Sequence, residues 1–190
     1  MRLSRWVGAL ALAAAAASWQ GRIVRADPPA LPSISGHFEL ETTDGRQVTD
    51  ESYRGKWLVV YFGYTFCPDI CPTVLTRITQ ALKVMGPTAE RVQPIFITVD
   101  PSRDTARHMS QYLTAFSPRI VGLRGDPDQT REAAHEFHAY YRMRSLGNGE
   151  YSVDHSSFLY VMAPDGHFAK LLADSLSPDQ LADELRQLAK

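Results

Sequence analysis

Cysteine is almost missing from this chain. Two occur in 190 residues, both inside F-C-P-D-I-C-P at 66–72. So small a number excludes the multi-bridge framework that holds many small exported domains together. A disulfide between Cys67 and Cys71 would close a loop too short to gain much entropy. The pair therefore reads as a redox dithiol or as half of a metal site, with a structural bridge the weaker third use. A strong charge of either sign is lacking too. The formal net charge is −1, and setting aside Arg2, Arg5, Arg22 and Arg25 leaves −5 for the remainder. Such a mildly acidic body gives no electrostatic footprint for nucleic acid or an anionic membrane surface. Internal repeats are absent, and the only low-complexity stretch is an alanine run near the N-terminus.

The first 26 residues hold those four arginines and neither Asp nor Glu, with an apolar run at 6–19. A basic start followed by such a run is the pattern of a secretory signal, and the run falls short of the ~20 apolar residues a spanning helix needs. Val24-Arg25-Ala26 offers small residues for cleavage, while the arginines ahead of it keep a retained anchor open. Residues 1–26 are thus expected to be a signal peptide or N-terminal membrane anchor. D-P-P-A-L-P-S begins a tether at 27–35, and 36–190 has the length of one domain with its own core. Outside the cytosol, oxidised thiols persist.

Periodicity predicts the domain's elements. H-F-E-L-E-T, D-G and R-Q-V-T spell a hairpin turning at Asp44-Gly45. W-L-V-V-Y-F (57–62) and V-Q-P-I-F-I-T-V (92–99) are unbroken apolar runs suited to strands buried on both faces. Between them, Val74, Leu75, Ile78, Ala81, Leu82 and Met85 recur at helical spacing. Ala106, Met109, Leu113 and Phe116 mark a second helix, and R-I-V-G-L (119–123) a short strand. Asp126, Pro127 and Gln129 supply a third helix with its cap, first position and capping box. The stretch from Arg142 to His155, with G-N-G inside it, reads as irregular. S-F-L-Y-V-M, P-D-G and H-F-A-K-L-L form another hairpin, and Ser177, Pro178 and Gln180 open a last helix carrying Leu181, Leu185 and Leu188. This order predicts an α/β fold, thioredoxin-like, with a central mixed sheet, helices on both faces and an added N-terminal hairpin.

Cys67 then falls just beyond the end of a central strand and Cys71 where the next helix begins, the edge at which open α/β sheets gather their chemistry. Unpaired N–H groups and the helix dipole favour thiolates there. Both sulfurs are expected to deprotonate readily, which serves a nucleophile and a soft-metal ligand alike. A third ligand would separate those uses. Of six histidines, His37 and His167 fall in hairpins and read as solvent-facing. His108 lies just off an apolar stripe, and His135 and His138 share a helix without further ligands nearby. His155 differs. It closes a long irregular stretch, of a kind that is usually functional, and leads into the strand expected beside the one preceding Cys67. That makes it the candidate third ligand. Asp154 reads either as the acceptor orienting its imidazole or as a turn residue. Asp69 reads as an auxiliary oxygen ligand or docking charge, or simply as solvent-facing. Asp100 reads as a turn residue before Pro101.

Y-F-G-Y-T-F-C-P-D-I-C-P-T, F-I-T-V-D-P-S-R-D-T and V-D-H-S resemble, in the same order, the three signature blocks of the Sco/SenC family, and the likeness covers roughly residues 36–190. The resemblance implies a thioredoxin-like copper-binding protein, periplasmic or anchored in the inner membrane facing the periplasm. Its implied role is a chaperone, not an enzyme, that delivers copper to the copper A centre of cytochrome c oxidase. Cys67, Cys71 and His155 would be the ligands of one Cu(I) or Cu(II) per chain. The implied partners are the oxidase copper A subunit and an upstream copper donor, with no nucleic acid, and with membrane contact only through the N-terminal segment. Two thiolates and an imidazole suit copper, although with an open position they also suit zinc. A general disulfide exchanger is a poorer match, because D-H-S-S stands where such enzymes place a cis-proline. Two alternatives use the same residues: a thiol–disulfide reductase preparing the oxidase cysteines, and a copper or redox sensor.

Overall fold

In the computed structural model, which describes residues 33–189, the continuous apolar runs become the middle of a sheet. In chain order the elements are β1 (Glu39–Thr42), β2 (Gln47–Thr49), β3 (Trp57–Gly63), α1 (Ile70–Met85), β4 (Val92–Thr98), α2 (Ala106–Leu113) and β5 (Val121–Arg124). They continue as α3 (Pro127–Glu136), β6 (Tyr141–Gly147), β7 (Glu150–His155), β8 (Phe158–Met162), β9 (Phe168–Ala173) and α4 (Pro178–Leu188). The expected signal or anchor at 1–26 and most of the tether lie outside the described residues.

The main sheet runs β2-β1-β5-β4-β3-β8-β9. β3 pairs in parallel with β4, Trp57 opposite Val92 through Gly63 opposite Thr98, and antiparallel with β8. β5 continues the parallel part, and the β1–β2 hairpin extends it antiparallel. The sheet is therefore mixed, as the element order predicts. β3 and β4 lie between other strands and are buried along almost their whole length, which is why neither shows polar alternation. Side chains of opposite parity serve the two faces. Tyr61 and Phe96 face Cys71 of α1 and Tyr112 of α2. Phe62 lies edge-on to Tyr160 and to Phe137, which follows α3. α4 packs along α1. Asp126 and Ser177 cap their helices reciprocally with Gln129 and Gln180, and Gly45 turns the first hairpin at φ 88°, a left-handed value glycine takes without penalty.

The stretch from Arg142 to His155 corrects the sequence reading. It is ordered as the β6–β7 hairpin, with Tyr141 opposite His155 and Gly147 opposite Glu150. Gly147, Asn148 and Gly149 make its turn with φ values of 90°, 52° and 80°. Most of its side chains are exposed, so it lacks the apolar/polar alternation that a half-buried strand imprints on a sequence.

Candidate metal centre

Between β3 and α1 the chain turns tightly, the Cys67 amide donating to the Tyr64 carbonyl at 3.2 Å. Asp104 grips this turn from outside. Its carboxylate accepts the Thr65 amide at 3.0 Å, the Thr65 hydroxyl at 2.5 Å and the Thr98 hydroxyl at 2.6 Å. Asp104 is fully buried. Burial raises its carboxyl above the usual range, against the hydrogen bonds that favour the charge. Gly63 leaves room for the second sulfur: a Cβ there would stand 2.8 Å from Cys71 Sγ and 2.8 Å from the Phe96 ring.

Cys67, Cys71 and His155 converge, each offering one ligand atom, all within 4.8 Å of one another. Cys71 Sγ lies 3.4 Å from His155 Nε2 and accepts the Tyr61 hydroxyl at 3.7 Å. The His155 ring stands edge-on to Tyr61 and Tyr64, at centroid distances of 6.1 and 5.8 Å. Its Nδ1 lies 3.0 Å from the Ser156 carbonyl. A carbonyl only accepts, so this bond places the proton on Nδ1 and turns the Nε2 lone pair toward the sulfurs. Among the described residues this is the one such cluster able to hold a metal ion. Two sulfurs and a nitrogen form a soft donor set that fits a thiophilic ion.

The two sulfurs are not alike, which corrects the expectation that both deprotonate readily. Cys67 is half-buried, and its thiol is lowered to about 3. The Cys71 thiol donating to it is the largest cause and outweighs burial, with smaller help from the backbone N–H groups of Cys71 and Asp69. Cys71 has no exposed surface, and its thiol is raised by that same bond to the Cys67 thiolate and by burial. The helix N-terminus spends its favourable field on the neighbour: the Cys71 amide donates to Cys67 Sγ at 3.5 Å. The reduced pair thus holds one proton, on Cys71, that metal binding must displace.

Asp154 does not orient the imidazole. Neighbouring strand residues point to opposite faces, and its carboxylate faces Arg144 at 3.7 Å; the Ser156 carbonyl takes the orienting role. Asp69 is exposed at the N-cap of α1 and makes no side-chain capping bond. His37 and His167 are exposed beside Asp50 and Asp165. His108 stacks on Phe66 at 4.9 Å, while His135 and His138 lie outside any metal-holding group. Asp100 does form the expected turn, its carbonyl accepting the Arg103 and Asp104 amides, yet its carboxylate is fully buried. Arg103 Nε meets that carboxylate at 2.5 Å and the Tyr151 hydroxyl donates to it at 2.9 Å. Sequence reasoning passed over Tyr61, Arg103, Asp104 and Tyr151. Arg103 and Asp104 stand in the second signature block and could have been found there. Tyr61 opens the first signature block and could have been found in the same way; nothing local marks Tyr151.

Residues 26–190 match the family model described as SCO1/SenC. The chain is similar to protein SCO1 homolog 1, mitochondrial, of Arabidopsis thaliana, with 37% identity over 83% of this chain and 49% of that protein. It is also similar to protein SCO2 homolog, mitochondrial, of Homo sapiens, with 39% identity over 80% of this chain and 58% of that one. The chain thus spans about half to three-fifths of the length of these curated relatives. Among solved structures, Bradyrhizobium japonicum ScoI with copper bound superposes with a TM-score of 0.77 at 38% identity, over 82% of this chain and 99% of that one.

Proposed function

This chain belongs to the SCO1/SenC family, and from that premise we propose that it is a copper chaperone serving the copper A centre of cytochrome c oxidase. The observation that carries this reading is the convergence of Cys67, Cys71 and His155 within 4.8 Å at the C-terminal edge of the central strands. The copper-bound ScoI relative supports copper as the cargo. Loading begins at the Cys67 thiolate, the more accessible of the two sulfurs and already deprotonated. Cys71 gives up its proton as its sulfur engages, and His155 adds Nε2, held in tautomer by Ser156. Three protein ligands leave a position for an incoming thiolate of the acceptor. The ion then moves by ligand exchange without changing oxidation state. Asp69, exposed between the cysteines, serves as a docking charge at this mouth. The chaperone domain spans 36–190 behind a tether at 27–35, with 1–26 as export signal or anchor, and works in the periplasm or an equivalent exported space.

The sulfur asymmetry favours a second reading, a thiol–disulfide reductase acting on the oxidase cysteines. The Cys67 thiolate would attack one sulfur of the target disulfide and displace the other as a thiolate, which takes a proton from water. Cys71, losing its proton, would then attack Cys67 Sγ and release the second target thiol, leaving a Cys67–Cys71 disulfide. Mixing the copper-loaded, reduced chain with a metal-free, reduced copper A subunit distinguishes the two. Appearance of the copper A absorption once the mixture is oxidised by one electron per two-copper centre supports delivery. No copper transfer, together with reduction of an oxidised subunit by the copper-free chain, supports the reductase instead.

A further inference from the structure

The ligands come from separate parts of the chain. The sulfurs sit on the β3–α1 connection, the imidazole at the end of a hairpin exposed along most of its length. A two-stranded hairpin is marginal alone, so the place of His155 depends on what anchors β7. Val153 is buried beneath it. A second anchor is Arg103, between β4 and α2. Its guanidinium carbon lies 3.7 Å from the Tyr151 ring centroid, 4.8 Å from that of Phe66 and 5.7 Å from that of Tyr64. Nη1 donates to the Tyr151 carbonyl at 3.0 Å. Asp100 holds both partners, accepting Arg103 Nε on one oxygen and the Tyr151 hydroxyl on the other. The Asp100 amide is itself fixed by Thr98 Oγ1 at 3.0 Å.

We infer that Arg103, held by Asp100, is a positioning residue that locks the β6–β7 hairpin to the aromatic residues flanking Cys67 and so presents His155 to the two sulfurs. The inference rests on the three-ligand reading above. A planar, forked cation is needed: it must stack between rings while donating at fixed angles to a carboxylate and a carbonyl, and lysine offers neither. Nη2 is buried with no hydrogen-bond partner among the described residues, a desolvation cost that the ring faces help to offset.

The test is Cu(I) affinity by chelator competition on the reduced full chain, for the parent, Arg103→Met, His155→Ala and the double variant. Outer-shell residues that orient a ligand typically contribute about 10–100-fold in metal affinity. Arg103→Met is expected to lose affinity in that range, Arg103→Lys to recover little of it, and the loss to shrink sharply in the His155→Ala background. In the metal-free chain, amide exchange should quicken across 141–155 in Arg103→Met while β3 and β4 keep their protection. If unpairing Asp100 unfolds the chain, Tyr151→Leu, which keeps the ion pair, carries the same test. Should Arg103→Met, or Tyr151→Leu in its place, bind as the parent does while His155→Ala is weakened, Arg103 is not a positioning residue. An equal loss with and without His155 overturns it as well. If His155→Ala itself binds like the parent, the three-ligand reading falls and the inference falls with it.

Discussion

Replacing Gly63 with alanine should injure both the fold and the site, because the space a methyl needs is already taken by a ligand. The new Cβ would stand 2.8 Å from Cys71 Sγ, 2.8 Å from Phe96 Cε2 and 3.2 Å from a Tyr61 ring carbon. Ordinary carbon contacts lie at about 3.5–4.0 Å, so neighbours must part by most of an ångström. Tyr61 and Phe96 have no exposed surface, and Phe96 backs onto Tyr112 of α2. Dense interiors yield little, and overpacking of this kind costs about 1–3 kcal/mol. Cys71 sits in the first turn of α1, so part of the strain should push Sγ away from Tyr61 and His155. Each ~1.4 kcal/mol lost from the bound state weakens binding about tenfold. Urea unfolding of the reduced, metal-free chain measures the first effect, and Cu(I) competition the second. In a Cys71→Ala background one of the two closest contacts is relieved, and the stability penalty should fall. If Gly63→Ala is as stable as the parent and binds copper equally well, Cys71 Sγ does not lie against β3.

The sulfur asymmetry can be read by alkylating the reduced, metal-free chain across pH. The folded Cys67 thiol titrates at about 3, below an ordinary value of about 8.5, so the stability its thiolate adds is full above the ordinary value and is lost as pH falls through the lower one. In mild acid, mass mapping should find label on Cys67 and little on Cys71; equal labelling contradicts the asymmetry. Asp104→Asn sets an amide among donors that now meet a carboxylate, and urea unfolding should show a loss of about 1–3 kcal/mol. A variant as stable as the parent would show that Thr65 is held otherwise. Ser177→Ala removes the α4 cap at a cost of ~1 kcal/mol and should leave copper affinity unchanged; a weakened site would mean that general stability, and not local geometry, governs binding.

Wherever burial imposes a pattern, the sequence showed the fold. β3 and β4 carried it as unbroken apolar runs, α1 as a stripe at helical spacing, and α3 and α4 as capping boxes that the structure forms as read. The β6–β7 hairpin escaped because exposed strands carry no such imprint, and its G-N-G turn looked like a loop. The sulfurs and His155 were legible as candidates from their places at strand and helix ends. Their inequality was not, since it arises from the Cys71 thiol donating to Cys67 and from the burial of Cys71, both set by tertiary packing. Asp154 misled because adjacency in a strand means opposite faces, and the orienting group is the Ser156 carbonyl, a backbone atom that no side-chain pattern reveals. Arg103 acts on segments far apart in the chain, so only the folded arrangement shows its three ring partners.

The most direct measurement is a copper titration of the reduced full chain beside Cys67→Ser and His155→Ala, read by the thiolate-to-Cu(II) absorption band and by Cu(I) competition. A three-ligand centre requires one equivalent bound by the parent, loss of binding in Cys67→Ser and marked weakening in His155→Ala. Binding by His155→Ala equal to the parent, or no tight binding by the parent at all, would contradict it and leave Cys67 and Cys71 as a dithiol.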